Sequence, residues 1–284
     1  MNEFNLETYK KRIFKTISKY KLVEPKDKIF IGLSGGKDSG CALFFISQYL
    51  KTYKVDAEIF AFHIKLGDFI PEKVIETVKK QTEICEIELK IYDIKNYGID
   101  YEKISKLTRP LCSSCGTIKR YLMNKISREE GATKLCTGHH GDDFIVFFMK
   151  NIIGKNIDWI TKFTPYLEGK GKQLTRIRPL FFGSGEENKN FLNSIGFPYI
   201  SEDICPHSLL KQKFDKRREK WYRVINQISE WQPNFKIYFL EGIIEIAKNL
   251  KEQKEPFECE VCGEPTNKRI CGFCKLIKTQ KDAQ

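Results

Sequence analysis

One hexapeptide constrains this chain more than any other feature: Ser34-Gly35-Gly36-Lys37-Asp38-Ser39. It follows a short Ile-rich apolar run, Lys28–Leu33, that reads as a buried strand, and it opens a stretch, Asp38 to Leu50, with helical spacing. Adjacent glycines let the backbone turn tightly, so consecutive N–H groups can face one anion. The following helix adds its positive end, Lys37 a charge, and Ser34 and Ser39 hydroxyl donors. Such a loop suits a phosphate chain. It lacks the G-x-x-x-x-G-K-S/T spacing of a Walker A loop.

The segments around it alternate. Glu58–Ile64 reads as a second strand, Pro71–Cys85 as a helix with proline in its first turn, and Ile87–Ile94 as a third strand. A helix over about Gly116–Glu130 ends at Gly131, and strand Lys134–Thr137 leads through Gly-His-His-Gly-Asp-Asp into an apolar helix reaching Ile153. This alternation predicts an α/β fold with a doubly wound parallel sheet and ligands at the carboxyl ends of its strands. Asn156–Gly171 reads as a loop or short hairpin, Leu174–Leu180 as a strand, Asn188–Ile195 as a helix, Ser208–Trp231 as one long basic helix and Lys236–Lys251 as the next. The expected organisation is an N-terminal helix in 1–25, a main domain in 26–205, a basic helical extension in 206–254 and a Cys-rich tail in 255–284.

The formal net charge of +12 points to a polyanionic partner, with nucleic acid the leading class. No apolar run is long enough for a membrane span and Met1–Lys28 has no apolar leader core, so no membrane partner and a cytoplasmic location are expected. There the ten cysteines are not a disulfide framework. Cys41, Cys85 and Cys136 read as small core residues. Cys259-x-x-Cys262 and Cys271-x-x-Cys274 form two knuckles with the spacing of a tetrahedral zinc site, and metal there would supply most of the tail's folding energy, ~10–16 kcal/mol in such sites. Cys112-x-x-Cys115 with a lone Cys205 is open on spacing alone: a redox pair, a metal half-site, coincidence, or three ligands of an iron–sulfur cluster.

The hexapeptide resembles the PP-loop of the ATP pyrophosphatases, which transfer AMP to a substrate oxygen and release pyrophosphate. Cys112–Arg120 (Cys-Ser-Ser-Cys-Gly-Thr-Ile-Lys-Arg), Thr137-Gly138-His139 with Asp142-Asp143, Arg178-Pro179-Leu180 and Cys205-Pro206, in that order, resemble the iron–sulfur tRNA 2-thiolation enzymes over roughly residues 25 to 275. The resemblance implies ATP with magnesium at Ser34, Gly35, Gly36, Lys37, Asp38 and Ser39, adenosine held near Phe62, His63 and Ile64, and further ATP contacts at Gly138, His139 and Asp142. It also implies a 4Fe-4S cluster on Cys112, Cys115 and Cys205, catalytic roles for Asp38 and Lys119, and zinc on Cys259, Cys262, Cys271 and Cys274. Cys262-Gly-Glu-Pro-Thr266 is similar to the C-terminal finger of the 2-thiouridine branch; the N-terminal finger often found there is absent, since no cysteine precedes Cys41.

The implied activity is adenylation of the C2 oxygen of a tRNA pyrimidine, uridine favoured, followed by sulfur transfer from sulfide or a carrier protein. Lys211, Lys213, Arg217 and Arg218, near Trp221, Tyr222 and Trp231, are the expected contacts to the tRNA backbone. His139 is read as ligand-facing, His140 as a turn residue, and His207 as a neighbour of the cluster. The competing functions are a cluster-dependent desulfidase, a PP-loop ligase or amidotransferase with zinc on all the cysteines, and a non-catalytic RNA-binding protein. Whether the chain forms a homodimer is left open.

Overall fold

The computed structural model describes residues 4–211, 217–232, 234–250 and 256–282. Five strands and six helices build the first two-thirds in alternation: α1 (Leu6–Lys19), β1 (Lys28–Leu33), α2 (Lys37–Tyr53), β2 (Glu58–Lys65), α3 (Lys73–Cys85), β3 (Glu88–Asp93), α4 (Tyr101–Ser105), α5 (Leu111–Glu129), β4 (Lys134–Cys136), α6 (Gly141–Ile153) and β5 (Tyr166–Leu167). β6 (Thr175–Ile177) and α7 (Gly185–Ser194) follow. The sheet order is β3-β2-β1-β4-β6-β5, parallel except for the antiparallel edge pair β5–β6. That pair is the short hairpin expected before Leu174.

Residues alternate between two covered faces, as a parallel sheet requires. Ile29, Ile31 and Leu33 join Phe45 of α2, Phe191 of α7 and Tyr9, Ile13 and Ile17 of α1 in one core. Phe30 and Phe62 point the other way, with Leu135 and with Met123 of α5. The N-terminal helix therefore shares the main domain's core. The Gly131 stop is a Schellman turn: Gly131 has φ +77°, its N–H donates to the Arg128 carbonyl, and Ala132 N–H donates to Ser127.

Beyond the sheet, the structure differs from the single basic helix expected over Ser208–Trp231. A short α8 (Pro206–Leu209) ends early, and α9 (Arg217–Trp231) starts afresh. Residues 212–216, including the expected tRNA contact Lys213, lie outside the described residues. α10 (Phe235–Asn249) lays Leu240, Ile243 and Ile244 on Phe144 and Ile145 of α6. The tail is a two-stranded turn, β7 (Phe257–Glu258) with β8 (Pro265–Thr266), and α11 (Gly272–Asp282). It packs on α4 and α5 through Phe273 and Leu276, with the Phe273 ring stacked 3.8 Å from Tyr121. No helix among the described residues is long and apolar enough to cross a membrane.

Candidate active site

β1 ends at Leu33, and the next three residues carry the chain into α2. Gly35 stands at φ +78°, a conformation that costs glycine nothing, and Gly36 is the helix N-cap. Ser39 ties the loop together: its hydroxyl donates to the Gly36 carbonyl (3.1 Å), accepts the Ser34 N–H (3.2 Å) and meets the Ser34 hydroxyl at 3.1 Å. Ile200 N–H donates to the Gly35 carbonyl at 2.9 Å, so the segment leading to Cys205 runs beside the loop. The result is a stiff turn at a helix N-terminus, suited to an anion.

Asp38 is fixed from two sides. Lys37 Nζ lies 2.8 Å from Oδ2, and Asn188 Nδ2 donates to Oδ1 at 2.7 Å. Asn188, fully buried at the start of α7, cannot present its amide the other way round, because the Tyr9 hydroxyl donates to its carbonyl oxygen. Gly138 presses against this helix start: a Cβ there would stand 2.7 Å from the Asp38 backbone.

The motif Gly138–Asp143 behaves differently from its sequence reading. His140, expected to be a turn residue, is buried and has carboxylates on three sides: Asp38 Oδ2 at 3.9 Å, Asp142 Oδ2 at 3.6 Å and Asp143 Oδ2 at 3.8 Å. His139 is exposed beside Thr137, 3.1 Å from its hydroxyl, at the carboxyl end of β4. Asp142, expected at ATP, accepts the Gly185 N–H at 3.0 Å and pairs with Lys236 Nζ at 2.8 Å, which ties it to α7 and α10. Asp143 is bound by Arg218 and, at 2.6 Å, by the Tyr222 hydroxyl. Burial alone would raise its pKa, but His140 and Arg218 outweigh that and hold it well below the usual carboxylate range. Arg218 thus spends its charge on Asp143 although it is exposed, as is Arg217 on the same turn, and Lys211 precedes the undescribed residues.

β2 delivers Phe62, His63 and Ile64 beside the loop. His63 is buried; its Nδ1 meets the Leu33 carbonyl at 2.8 Å, which makes Nδ1 the protonated nitrogen and leaves Nε2 with a lone pair. That buried Nε2 has no partner. Burial, and then the nearby Lys119 charge, lower the His63 pKa.

Lys119 also faces the thiols. Cys112 and Cys115 sit in the first turn of α5, and Cys205 caps α8, which packs on α5. Burial raises both Cys112 and Cys205, and the Lys119 ammonium opposes this at each. Cys112 and Cys205 are exposed, Cys115 half-buried. The buried Tyr101 hydroxyl lies against the thiols: beyond burial, the Cys115 charge, a hydrogen bond with Cys115, and the charges of Cys205 and Cys112 raise its pKa. Three thiols from α5 and the cap of α8, two of them exposed and all beside one buried hydroxyl, fit the ligand set of an iron–sulfur cluster. His207, beside Cys205, is buried 3.7 Å from Asp203.

In the tail the four sulfurs of Cys259, Cys262, Cys271 and Cys274 lie within 4.8 Å of one another. Burial raises Cys259, but N–H groups of Cys271, Val261 and Cys262 more than reverse this and bring it to about 6. Thiols so placed fit a tetrahedral zinc ion.

Sequence reasoning missed Asn188, Tyr9, His140 and Tyr101 as site residues. Asn188 and Tyr9 carry no local motif; only the fold brings α1 and α7 to the loop.

A family model described as a PP-loop domain matches residues 5–206. The tRNA-5-methyluridine(54) 2-sulfurtransferase of Pyrococcus horikoshii is 32% identical over 283 residues, covering 97% of this chain and 86% of the relative. The tRNA-cytidine(32) 2-sulfurtransferase of Pelobacter propionicus is 26% identical, covering 84% of this chain and 86% of the relative. Among solved structures, the U34-tRNA thiolase NcsA of Methanococcus maripaludis, described with its 4Fe-4S cluster, shares the fold: TM-score 0.79 at 24% identity, over 96% of this chain and 87% of that one. The loop, the thiol-bearing helix and Cys205 all fall within the matched span, and the chain belongs to the PP-loop family, in the branch of the tRNA 2-sulfurtransferases.

Proposed function

We propose that the protein thiolates C2 of a tRNA pyrimidine in two steps within one cleft. The observation that carries this reading is the placement of Lys119 between the two halves of the site: its charge reaches His63, beside the phosphate loop, as well as Cys112 and Cys205.

A C2 carbonyl has no leaving group. In the first step the C2 oxygen attacks the α-phosphorus of ATP, and pyrophosphate departs. The N–H groups of Gly35–Lys37 and the α2 dipole hold the phosphate chain, with Asp38 oriented towards its magnesium by Asn188. Phe62, His63 and Ile64 flank the adenosine, with Gly138 and His139 opposite. In the second step a sulfur nucleophile attacks C2, and AMP leaves with the former carbonyl oxygen. Lys119 stabilises negative charge on that oxygen. Cys112, Cys115 and Cys205 would hold a 4Fe-4S cluster, which when bound supplies a Lewis-acidic iron that takes sulfide and favours its deprotonated form. Sulfide or a sulfur-carrier protein is the donor. Zinc on Cys259, Cys262, Cys271 and Cys274 is structural.

The favoured target is 5-methyluridine at tRNA position 54. The Pyrococcus and Thermotoga enzymes of that name match at 32% and 31% over 97% and 96% of the chain, against 26% over 84% for the cytidine(32) enzyme. The reading predicts that the two steps separate. Cys205→Ala should still release pyrophosphate from ATP in the presence of tRNA but form no thionucleoside, and Asp38→Ala should do neither. Pyrophosphate release that is indifferent to Asp38 would contradict it.

A further inference from the structure

Beside the thiols, a line of cations has no carboxylate partner among the described residues. Arg109 precedes α5, Arg120 lies on it, Arg176 is the middle residue of β6, and Lys162 stands in the loop before β5. Arg176 is in register with Leu135 of β4, whose side chain packs on the α5 face of the sheet, so Arg176 shares that face with Arg120. The Arg120 guanidinium folds back over Gly116, next to Cys115; a Cβ on Gly116 would stand 3.1 Å from it.

Their neighbours differ from those of an ordinary structural arginine. Arg178 shows the ordinary case: it donates to the Lys162 carbonyl at 2.8 Å and to Thr164, and stacks on Phe144. Among the described residues, Arg120 and Arg176 make no side-chain hydrogen bond and no ion pair. Each cation instead disfavours the next. Burial lowers Arg176 and then Arg120 adds to it; burial lowers Arg120 and then Arg109 does; burial lowers Lys162 and then Arg176 does. The line ends at Trp159, half exposed, with Lys162 Nζ 4.4 Å from its ring centre. Unpaired guanidiniums crowded in a cleft cost stability, and an anion would relieve that cost.

We propose that Arg120, Arg176 and Lys162, with Trp159, form a phosphodiester site that grips the tRNA strand carrying the target nucleoside next to the thiol cleft. Cations contributed by three separate elements suit successive phosphates of a strand better than one compact anion. Guanidiniums bind phosphate in bidentate fashion, and an exposed indole beside them offers a stacking face for an unpaired base. This site is separate from Lys211 and Arg217. The proposal rests on the tRNA reading above.

The test is tRNA binding by fluorescence anisotropy over a salt series, with wild type, Arg176→Gln, Arg120→Gln and Trp159→Ala, alongside ATP affinity and Tm. Each arginine variant should weaken tRNA binding by roughly tenfold and lower the slope of log K against log salt by about 1. ATP affinity should be unchanged, and the Tm of Arg176→Gln no lower than wild type, because a like-charge neighbour is gone. Arg120 is exposed on α5 with only its guanidinium folded against Gly116, so its variant separates binding from folding. Wild-type affinity and slope in both arginine variants would overturn the site. So would loss of ATP affinity with tRNA binding intact. A wild-type protein that binds no tRNA would instead overturn the tRNA reading itself.

Discussion

Asn188 has no exposed surface, yet both ends of its amide are in use. Its Nδ2 donates to Asp38 Oδ1 and its carbonyl oxygen accepts from the Tyr9 hydroxyl, so one side chain fixes which way the loop carboxylate faces. Asn188→Leu would leave the buried Tyr9 hydroxyl without its acceptor and Asp38 held by Lys37 alone, a cost of about 1–3 kcal/mol. A Tm decrease and an order-of-magnitude fall in pyrophosphate release are expected, measured by calorimetry and a phosphate-coupled assay. Gly138→Ala separates the site from the fold in another way. Its methyl meets the Asp38 backbone, so ATP affinity should fall more than stability, as titration calorimetry would record. His63 gives a pH signature. Its folded pKa lies below the ordinary 6.5, so the folded protein takes up that proton less readily than the unfolded chain. This contribution to stability is complete above 6.5 and is lost as pH falls below it. Tm should therefore decline less steeply below pH 6.5 in His63→Gln than in wild type.

At the scale of elements, α5 connects the parts of the site. Cys112 lies in its first turn, Cys115 one turn on and Lys119 a further turn on, with the stacked Tyr121 against which the tail docks. The tail is tied on further by Arg128 to Glu264 and by Gln280, which accepts the Asp100 N–H and donates to the Gly98 carbonyl. Chelating zinc, or replacing Cys259 with Ser, should speed amide exchange in α11 and over the docking surface on α4 and α5, with ATP affinity preserved. Exchange unchanged after zinc loss would show that these contacts hold the tail unaided. The first four strands were legible to within a residue or two, because an apolar run before a glycine turn has few alternatives, whereas the strand expected over Leu174–Leu180 stops at Ile177. The Ser208–Trp231 helix was misread because charge spacing says nothing about direction. Arg218 looks like any other surface cation in the sequence, and only the fold sets Asp143 and Tyr222 beside it.

The whole molecule is a parallel sheet with the phosphate loop and the thiols at one end of its strands. The chain carries a net charge of +12, and Arg120 and Arg176 have no carboxylate partner among the described residues. The motif residues of the site were readable because each lies in a short run of unusual composition. The residues that orient them were not, since Tyr9, Asn188 and Tyr101 come together from segments far apart in sequence. The central claim is that the loop and the thiols serve one reaction. It is tested most directly by incubating anaerobically reconstituted protein with ATP, sulfide and tRNA and digesting the tRNA for nucleoside mass spectrometry. Wild type should yield a pyrimidine with sulfur in place of the C2 oxygen, and Asp38→Ala and Cys112→Ala should each yield none. Thiolation by Cys112→Ala at the wild-type rate, or none by wild-type protein with any tRNA, would contradict the account.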